Sequence, residues 1–332
     1  MMKQYIWHNG PRILTLTIAM GITLCGCSNS DSGSPTGAAA SPTKKLRISC
    51  TTNIVKDLIQ QIGGDHVEVT AIMDGPAVDP HLYTPSPQDI NVLTNSDVVV
   101  YSGLHLEAQL EEALESLGNR GVPAIRLSQI LEDDFDDRLL HAEGAVDPHV
   151  WFDLGLWSKC GSWLAAELSK IDAANSTDYE AAAADFVKLM QTTQKDGETV
   201  VANIPPEQRV LVTAHDAFQY FARTFKFRVE AIQGLSTAGE PGLKRINELA
   251  TLLVDSKISA IFTEQSVSDR NIRALISECD SRGHQLTIGG TLYSDTAGAA
   301  GTPEETLAGA VLHNIRAMAK GLMPQTISQE QP

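Results

Sequence analysis

From Lys44 onward, short runs of β-branched and other apolar residues alternate with longer segments that mix apolar and polar positions at helical spacing. "KLRISC" precedes "NIVKDLIQQIGG"; "HVEVTAIM" precedes a Pro-rich loop and "PQDINVLTNS"; "DVVVYSG" precedes "LEAQLEEALESLG", and "VPAIRLS" closes the series. Strand and helix in turn imply crossover units and a mainly parallel sheet. The same rhythm resumes after residue 205, with "RVLVTAH" before "DAFQYFARTF", "FRVEAIQG" before "LKRINELATLLVDSK", "SAIFTEQ" before "DRNIRALISECDSRG", and "QLTIGG" before a last helix in "TPEETLAGAVLHNIRAMAKGL". The pattern predicts an α/β protein of two lobes. Between them, Ser176 to Pro206 is rich in helix formers and is stopped by two prolines, which predicts one long connecting helix with Gly197 as its weakest point. A single helical connector would hold the lobes at a nearly fixed angle.

The N-terminus breaks this pattern. Lys3 and Arg12 lead into the uncharged apolar stretch Ile13 to Leu24, too short to span a bilayer and suited to a signal peptide. "LCGC" follows, with small Gly26 before Cys27, in the manner of a bacterial lipoprotein cleavage box; the residues after Cys27 have the Ser/Gly/Pro/Ala composition of a flexible tether. The expected organisation is therefore a signal peptide and lipidation site over 1–27, a tether over 28–43, an N-terminal lobe over 44–174, a linking helix over 175–206 and a C-terminal lobe over 207–325.

Composition narrows the chemistry. Acidic residues outnumber basic ones by 41 to 25, a formal charge of -16 that repels phosphate backbones and attracts cations. Nucleic acid is excluded as an expected partner. Beyond Cys25 and Cys27, only Cys50, Cys160 and Cys279 remain, far apart and without a CxxC pair, so they read as small buried residues rather than a metal cage. A single disulfide among them in an oxidising compartment is left open.

Of the nine histidines, His66, His284 and His313 suit surface or capping roles, and His105 and His141 carry no assignment. His81, His149 and His215 share a different setting, each in a loop beyond a strand-like run, and Asp295 in "GGTLYSDTAG" follows a strand as well. In open α/β sheets ligands bind beyond the carboxyl ends of strands. Three imidazoles and one carboxylate make a complete four-point shell for a divalent ion. His81 and His149 each follow Asp-Pro, which stiffens the approach to the ligand. Asp79 and Asp147 are expected to satisfy nearby backbone amides or to accept the second imidazole N–H, and Glu264 is a further outer candidate. Binding should weaken as pH falls through about 6.5, where free imidazole protonates.

"DPHLYTPSPQDI", "DPHVWFD", "VTAHDAFQYFARTF", "IQGLSTAGEPG", "FTEQSVSDR" and "GGTLYSDTAGAAGTPEETL" together resemble, in order, the solute-binding lipoproteins of zinc/manganese-type ABC transporters. The resemblance runs from about Lys44 to the last helix. It implies that His81, His149, His215 and Asp295 are metal ligands in a cleft between two lobes, each with a mainly parallel four-stranded sheet, joined by a long rigid helix. It further implies delivery of the ion to a membrane permease driven by an ATPase, by a monomer lipid-anchored outside the cytoplasm, in the periplasm or at the cell surface. The cargo is expected to be Mn²⁺ or Zn²⁺, with Fe²⁺ a third candidate: His215 at the variable third position suits zinc, whereas the chain lacks the long His-rich loop of many zinc-dedicated relatives and its "IQGLST" stretch resembles relatives credited with manganese as well as zinc. The rival readings are a zinc-dedicated importer, a surface adhesin with a structural metal, and a metallohydrolase using Glu264 as general base. Four protein ligands and the lack of HExxH and GxSxG speak against an enzyme.

Overall fold

β1 (Leu46–Thr52) is a central strand of the first sheet, paired in parallel with β2 (Val67–Met73) on one side and β3 (Val98–Tyr101) on the other, while β4 (Ala124–Arg126) extends the sheet from β3. The computed structural model describes residues 44–142 and 144–323. The signal peptide, Cys27 and the tether expected at 28–43 lie outside the described residues.

Helices return the chain between these strands. α1 (Asn53–Gly63) starts where the Thr52 hydroxyl accepts the Val55 N–H, and it turns Ile54, Leu58, Ile59 and Ile62 into the core. α2 (Pro87–Thr94) opens with a reciprocal Ser86–Asp89 capping box and a proline in its first turn. α3 (Glu111–Ser116) begins later than the apolar spacing from Leu106 predicts. The reason is Glu107, whose buried carboxylate takes the N–H groups of Ser102 and Gly103, while Gly103, Leu104 and His105 turn through positive φ. α4 (Gln129–Asp134) and a short hairpin, β5 (His141–Ala142) with β6 (Ala145–Val146), lead to the second Asp-Pro-His.

α5 (Leu154–Ile171) is capped by Asp153, which accepts the Leu156 N–H, and it packs along α6 (Ser176–Val201). α6 is the expected long helix. Tyr179, Ala183, Phe186, Met190, Thr193, Gly197 and Val201 line its buried face at a spacing of three to four. Gly197 does not break it. A side chain there would meet Phe225 and Ile315, so the glycine permits close approach rather than marking a weak point.

In the second half, β7 (Val210–Thr213) pairs in parallel with β8 (Arg228–Ala231), and β9 (Ala260–Glu264) pairs in parallel with β10 (Thr287–Leu292). α7 (Gln219–Phe225), α8 (Leu243–Asp255), α9 (Arg270–Ser281) and α10 (Leu307–Leu322) complete the order. The four strands anticipated for this sheet are present, with β7 beside β9, but as two hydrogen-bonded pairs rather than one continuous ladder. Where β7 ends, the amides of Ala214 and His215 turn to the Glu264 carboxylate instead of to β9 carbonyls.

One large apolar cluster runs through both halves, taking in Ile48 and Leu58, then Leu164 and Phe186 on α5 and α6, then Phe221, Phe262 and Ile315. Phe152, just after the second Asp-Pro-His, stacks on Phe218 at 4.9 Å. Each large apolar side chain so buried contributes about 1.5–3 kcal/mol. Cys50, Cys160 and Cys279 are free and buried in the cores, as their spacing implied.

Candidate metal centre

Four chain segments deliver one polar cluster into this apolar setting. His81 lies in the loop between β2 and α2, His149 enters the turn before α5, His215 stands two residues past β7, and Asp295 three residues past β10. All four are buried, and one ligand atom from each lies within 4.8 Å of the others. His149 Nε2 and His215 Nε2 are 3.3 Å apart, and each is 3.3 Å from Asp295 Oδ1. His81 Nε2 stands slightly farther off, 4.0 Å from the same oxygen.

The outer partners decide which atoms face inward. Asp147 Oδ1 accepts both the backbone N–H of His149 and its ring Nδ1–H, at 2.9 and 2.7 Å. Glu264 accepts the amides of Ala214 and His215 on Oε1 and the His215 Nδ1–H on Oε2. With Nδ1 donating to a carboxylate, Nε2 of each of these two rings is the atom left to take a metal. Asp295 Oδ2 is occupied by the Ser266 hydroxyl at 2.9 Å, which turns Oδ1 toward the imidazoles. Asp79 behaves differently from Asp147. It accepts the His81 backbone N–H at 2.9 Å and the Thr237 hydroxyl at 2.6 Å, and not the imidazole.

Lone pairs and a carboxylate pointed at one another repel unless positive charge sits among them. His81 Nε2 and Asp295 Oδ1 are buried with no hydrogen-bond partner, the mark of groups waiting for a cation. A four-coordinate ion with bonds of about 2.0–2.2 Å sets its ligand atoms about 3.3–3.6 Å apart, which matches three of these separations. The electrostatics agree. Burial disfavours charge on His149, but Asp147 and Asp295 outweigh it and raise its pKa to about 9. His215 is likewise held well above the imidazole range against burial by Asp295 and Glu264, and His215 and His149 hold Asp295 well below the carboxylate range against its own burial. His81 goes the other way, down to about 3, through burial and the neighbouring imidazoles. Donors of this kind, three imidazole nitrogens and one carboxylate oxygen, suit Zn²⁺, Mn²⁺ or Fe²⁺.

The other described histidines stay outside the cluster. His284 meets the Ile258 carbonyl, His66 pairs with Asp178, His313 meets the Thr291 carbonyl, and His105 contacts Glu111. His141 lies in β5. Sequence reasoning did not single out Ser266, Trp151 or Tyr220. Trp151 donates to the Ser294 carbonyl beside Asp295, and Tyr220 donates to the Asp147 carbonyl. Ser266, two residues past β9 at the sheet edge that holds Glu264, was the one with a positional signal.

A family model described as the periplasmic zinc-uptake complex component A, ZnuA, matches residues 48–321. The chain belongs to the ZnuA family. Within it, the chain is 40% identical to the manganese-binding lipoprotein MntA of Bacillus subtilis over 90% of its own length and 95% of that protein's. It is 35% identical to the zinc-binding protein TroA of Treponema pallidum over 94% and 98% of the two chains. The solved structure of TroA, a periplasmic zinc-binding protein, superposes with a TM-score of 0.80, covering 85% of this chain and all of TroA. ZnuA-family members are substrate-binding transport proteins rather than enzymes. In this chain the Glu264 carboxylate accepts the amides of Ala214 and His215 and the His215 Nδ1–H.

Proposed function

We propose that this protein captures a divalent transition metal, Mn²⁺ or Zn²⁺, outside the cytoplasm and hands it to an ABC permease driven by its ATPase. His81, His149, His215 and Asp295 hold the ion. Asp147 and Glu264 orient two of the imidazoles, and Asp79 fixes the loop of the third. The observation that carries this reading is the convergence of three imidazole Nε2 atoms and one carboxylate oxygen on a single buried point. A complete protein shell binds and releases an ion without opening a coordination position to substrate water.

Residues 44–174 and 207–325 act as two lobes about the ion, with 175–206 as the linking helix. Cys27 carries the lipid that anchors a monomer to the bacterial membrane through the 28–43 tether. On the usual affinity order of first-row dications, Zn²⁺ binds this nitrogen-rich site more tightly than Mn²⁺. The relatives divide between the two metals, and availability, site geometry and the transporter join affinity in deciding which is carried.

Elemental analysis of protein purified from its native host, followed by Mn²⁺/Zn²⁺ competition, tests the cargo. For the site, calorimetric titration of His215→Ala should show affinity lowered by orders of magnitude. His284→Ala, at a residue whose ring meets the Ile258 carbonyl outside the cluster, should titrate like the unsubstituted chain. Equal affinities for the two variants would defeat the assignment.

A further inference from the structure

His81 is secured differently from its two companions. Its Nε2 is the outlying atom of the cluster, its residue keeps 5% exposure where His149 and His215 keep none, and no carboxylate meets its Nδ1 among the described residues. What locates it is Asp79, through the backbone: Oδ1 accepts the His81 N–H at 2.9 Å. The other oxygen of that carboxylate, Oδ2, accepts the hydroxyl of Thr237 at 2.6 Å. Thr237 lies in the loop between β8 and α8, in the opposite half of the sequence, and is buried at 8% exposure. It is fixed in turn by Gln233, whose side-chain amide donates to the Thr237 and Gly239 carbonyls and whose backbone N–H donates to the Ala214 carbonyl beside His215. A continuous hydrogen-bonded path thus runs from the residue before His215, through Gln233, Thr237 and Asp79, to His81.

Resting on the reading of these four residues as a metal site, we propose that Thr237 is a positioning residue that sets the rate of metal release. Its hydroxyl locks the Asp79 carboxylate, Asp79 locks the His81 loop, and opening the Thr237–Asp79 bond frees His81 as the first ligand to leave. The other imidazoles, each clamped at Nδ1 by a carboxylate, stay in place. A hydrogen bond to a charged group is strong enough for its loss to change a rate by about ten-fold or more. The effect belongs in dissociation, where most affinity differences among variants of one contact appear.

The test loads the full chain with Zn²⁺, and separately with Mn²⁺, and follows release to an excess of chromophoric chelator by stopped flow. Thr237→Val, which keeps the shape and removes the donor, should release metal about ten-fold faster, while Thr237→Ser, which restores the hydroxyl, should stay within about two-fold of the unsubstituted chain. In an Asp79→Ala background, Thr237→Val should add nothing, as expected of residues acting through one bond. Thr237→Ala serves in place of the valine variant if the latter does not fold, judged by melting of the metal-free protein. An unchanged release rate for the hydroxyl-free variants, or full additivity with Asp79→Ala, overturns the latch while leaving the site intact. Failure of the unsubstituted chain to take up either ion overturns the underlying metal reading instead.

Discussion

Protons and a dication compete for the same imidazole lone pairs, so the residues that orient the ligands also set the pH dependence. Asp147 and Asp295 raise His149 to about 9, and Asp295 and Glu264 hold His215 well above the ordinary imidazole value, in both cases against burial. His81, lowered to about 3, brings no proton to the competition. Metal binding must therefore displace protons at neutral pH. Affinity for Zn²⁺ should climb by about ten-fold or more per pH unit between 6.5 and 9, measured by chelator competition, and a flat profile there contradicts the scheme. The sign for the metal-free fold is the reverse. A raised histidine contributes stability that is complete below its unfolded value near 6.5 and is lost as pH rises through about 9, so the apoprotein should melt lower at pH 9 than at pH 6.5. Sequence placed the proton competition at the free imidazole value because it lists ligand types. It does not give the distance from Glu264 to His215, which join across 49 residues of chain.

At the scale of elements, helices were legible where an amphipathic stripe coincided with a capping residue, as in α1 and α2, and strands where apolar runs were short. α5 escaped full delineation although Asp153 caps it, because small and polar residues, Ser158, Cys160 and Gly161, sit on its buried face beside Leu164 and Leu168. For Gly161 the reason is α6: a Cβ there would stand 2.7 Å from the Phe186 ring. The interruption between β7 and β9 was illegible for a related reason, since it arises from a side chain rather than from either strand's own sequence. Gly197 gives the sharpest test of close packing. Alanine there would gain about 1 kcal/mol of helix propensity. Its Cβ would, however, lie 2.5 Å from Ile315 Cδ1 and 2.8 Å from Phe225 Cε1. The isoleucine tip can swing away, but Phe225 is held against Phe221 at a 4.7 Å centroid distance. With a held ring in the way, overpacking falls in the upper part of its usual range, about 2–3 kcal/mol, so Gly197→Ala should lower unfolding free energy by a net amount of about 1–2 kcal/mol in urea titration. A stability equal to or above that of the parent chain would show that α6 and α7 separate more easily than their packing implies.

For the whole molecule, the question is whether the ion is cargo or a structural staple, and the distribution of apolar burial answers it. The main core passes from β1 through α5 and α6 to α10, and it is built from apolar side chains such as Leu58, Phe186, Phe221 and Ile315. The ligands are held in register by protein partners: Asp147 and Glu264 on two imidazoles, Ser266 on Asp295, and Asp79 on the His81 backbone. A shell prepared in this way gains stability from the ion only by mass action, about 2.7 kcal/mol at a free concentration one hundred times Kd. A staple behaves otherwise, contributing on the order of 10 kcal/mol and leaving an unfolded chain on removal. Exhaustive chelation should therefore lower the melting temperature while preserving the far-ultraviolet circular dichroism and a single cooperative transition at 25 °C. Returning Zn²⁺ should restore the higher melting point in a concentration-dependent way. Loss of helical signal on chelation alone would move the ion from cargo to scaffold and favour the adhesin reading, in which capture and release have no part.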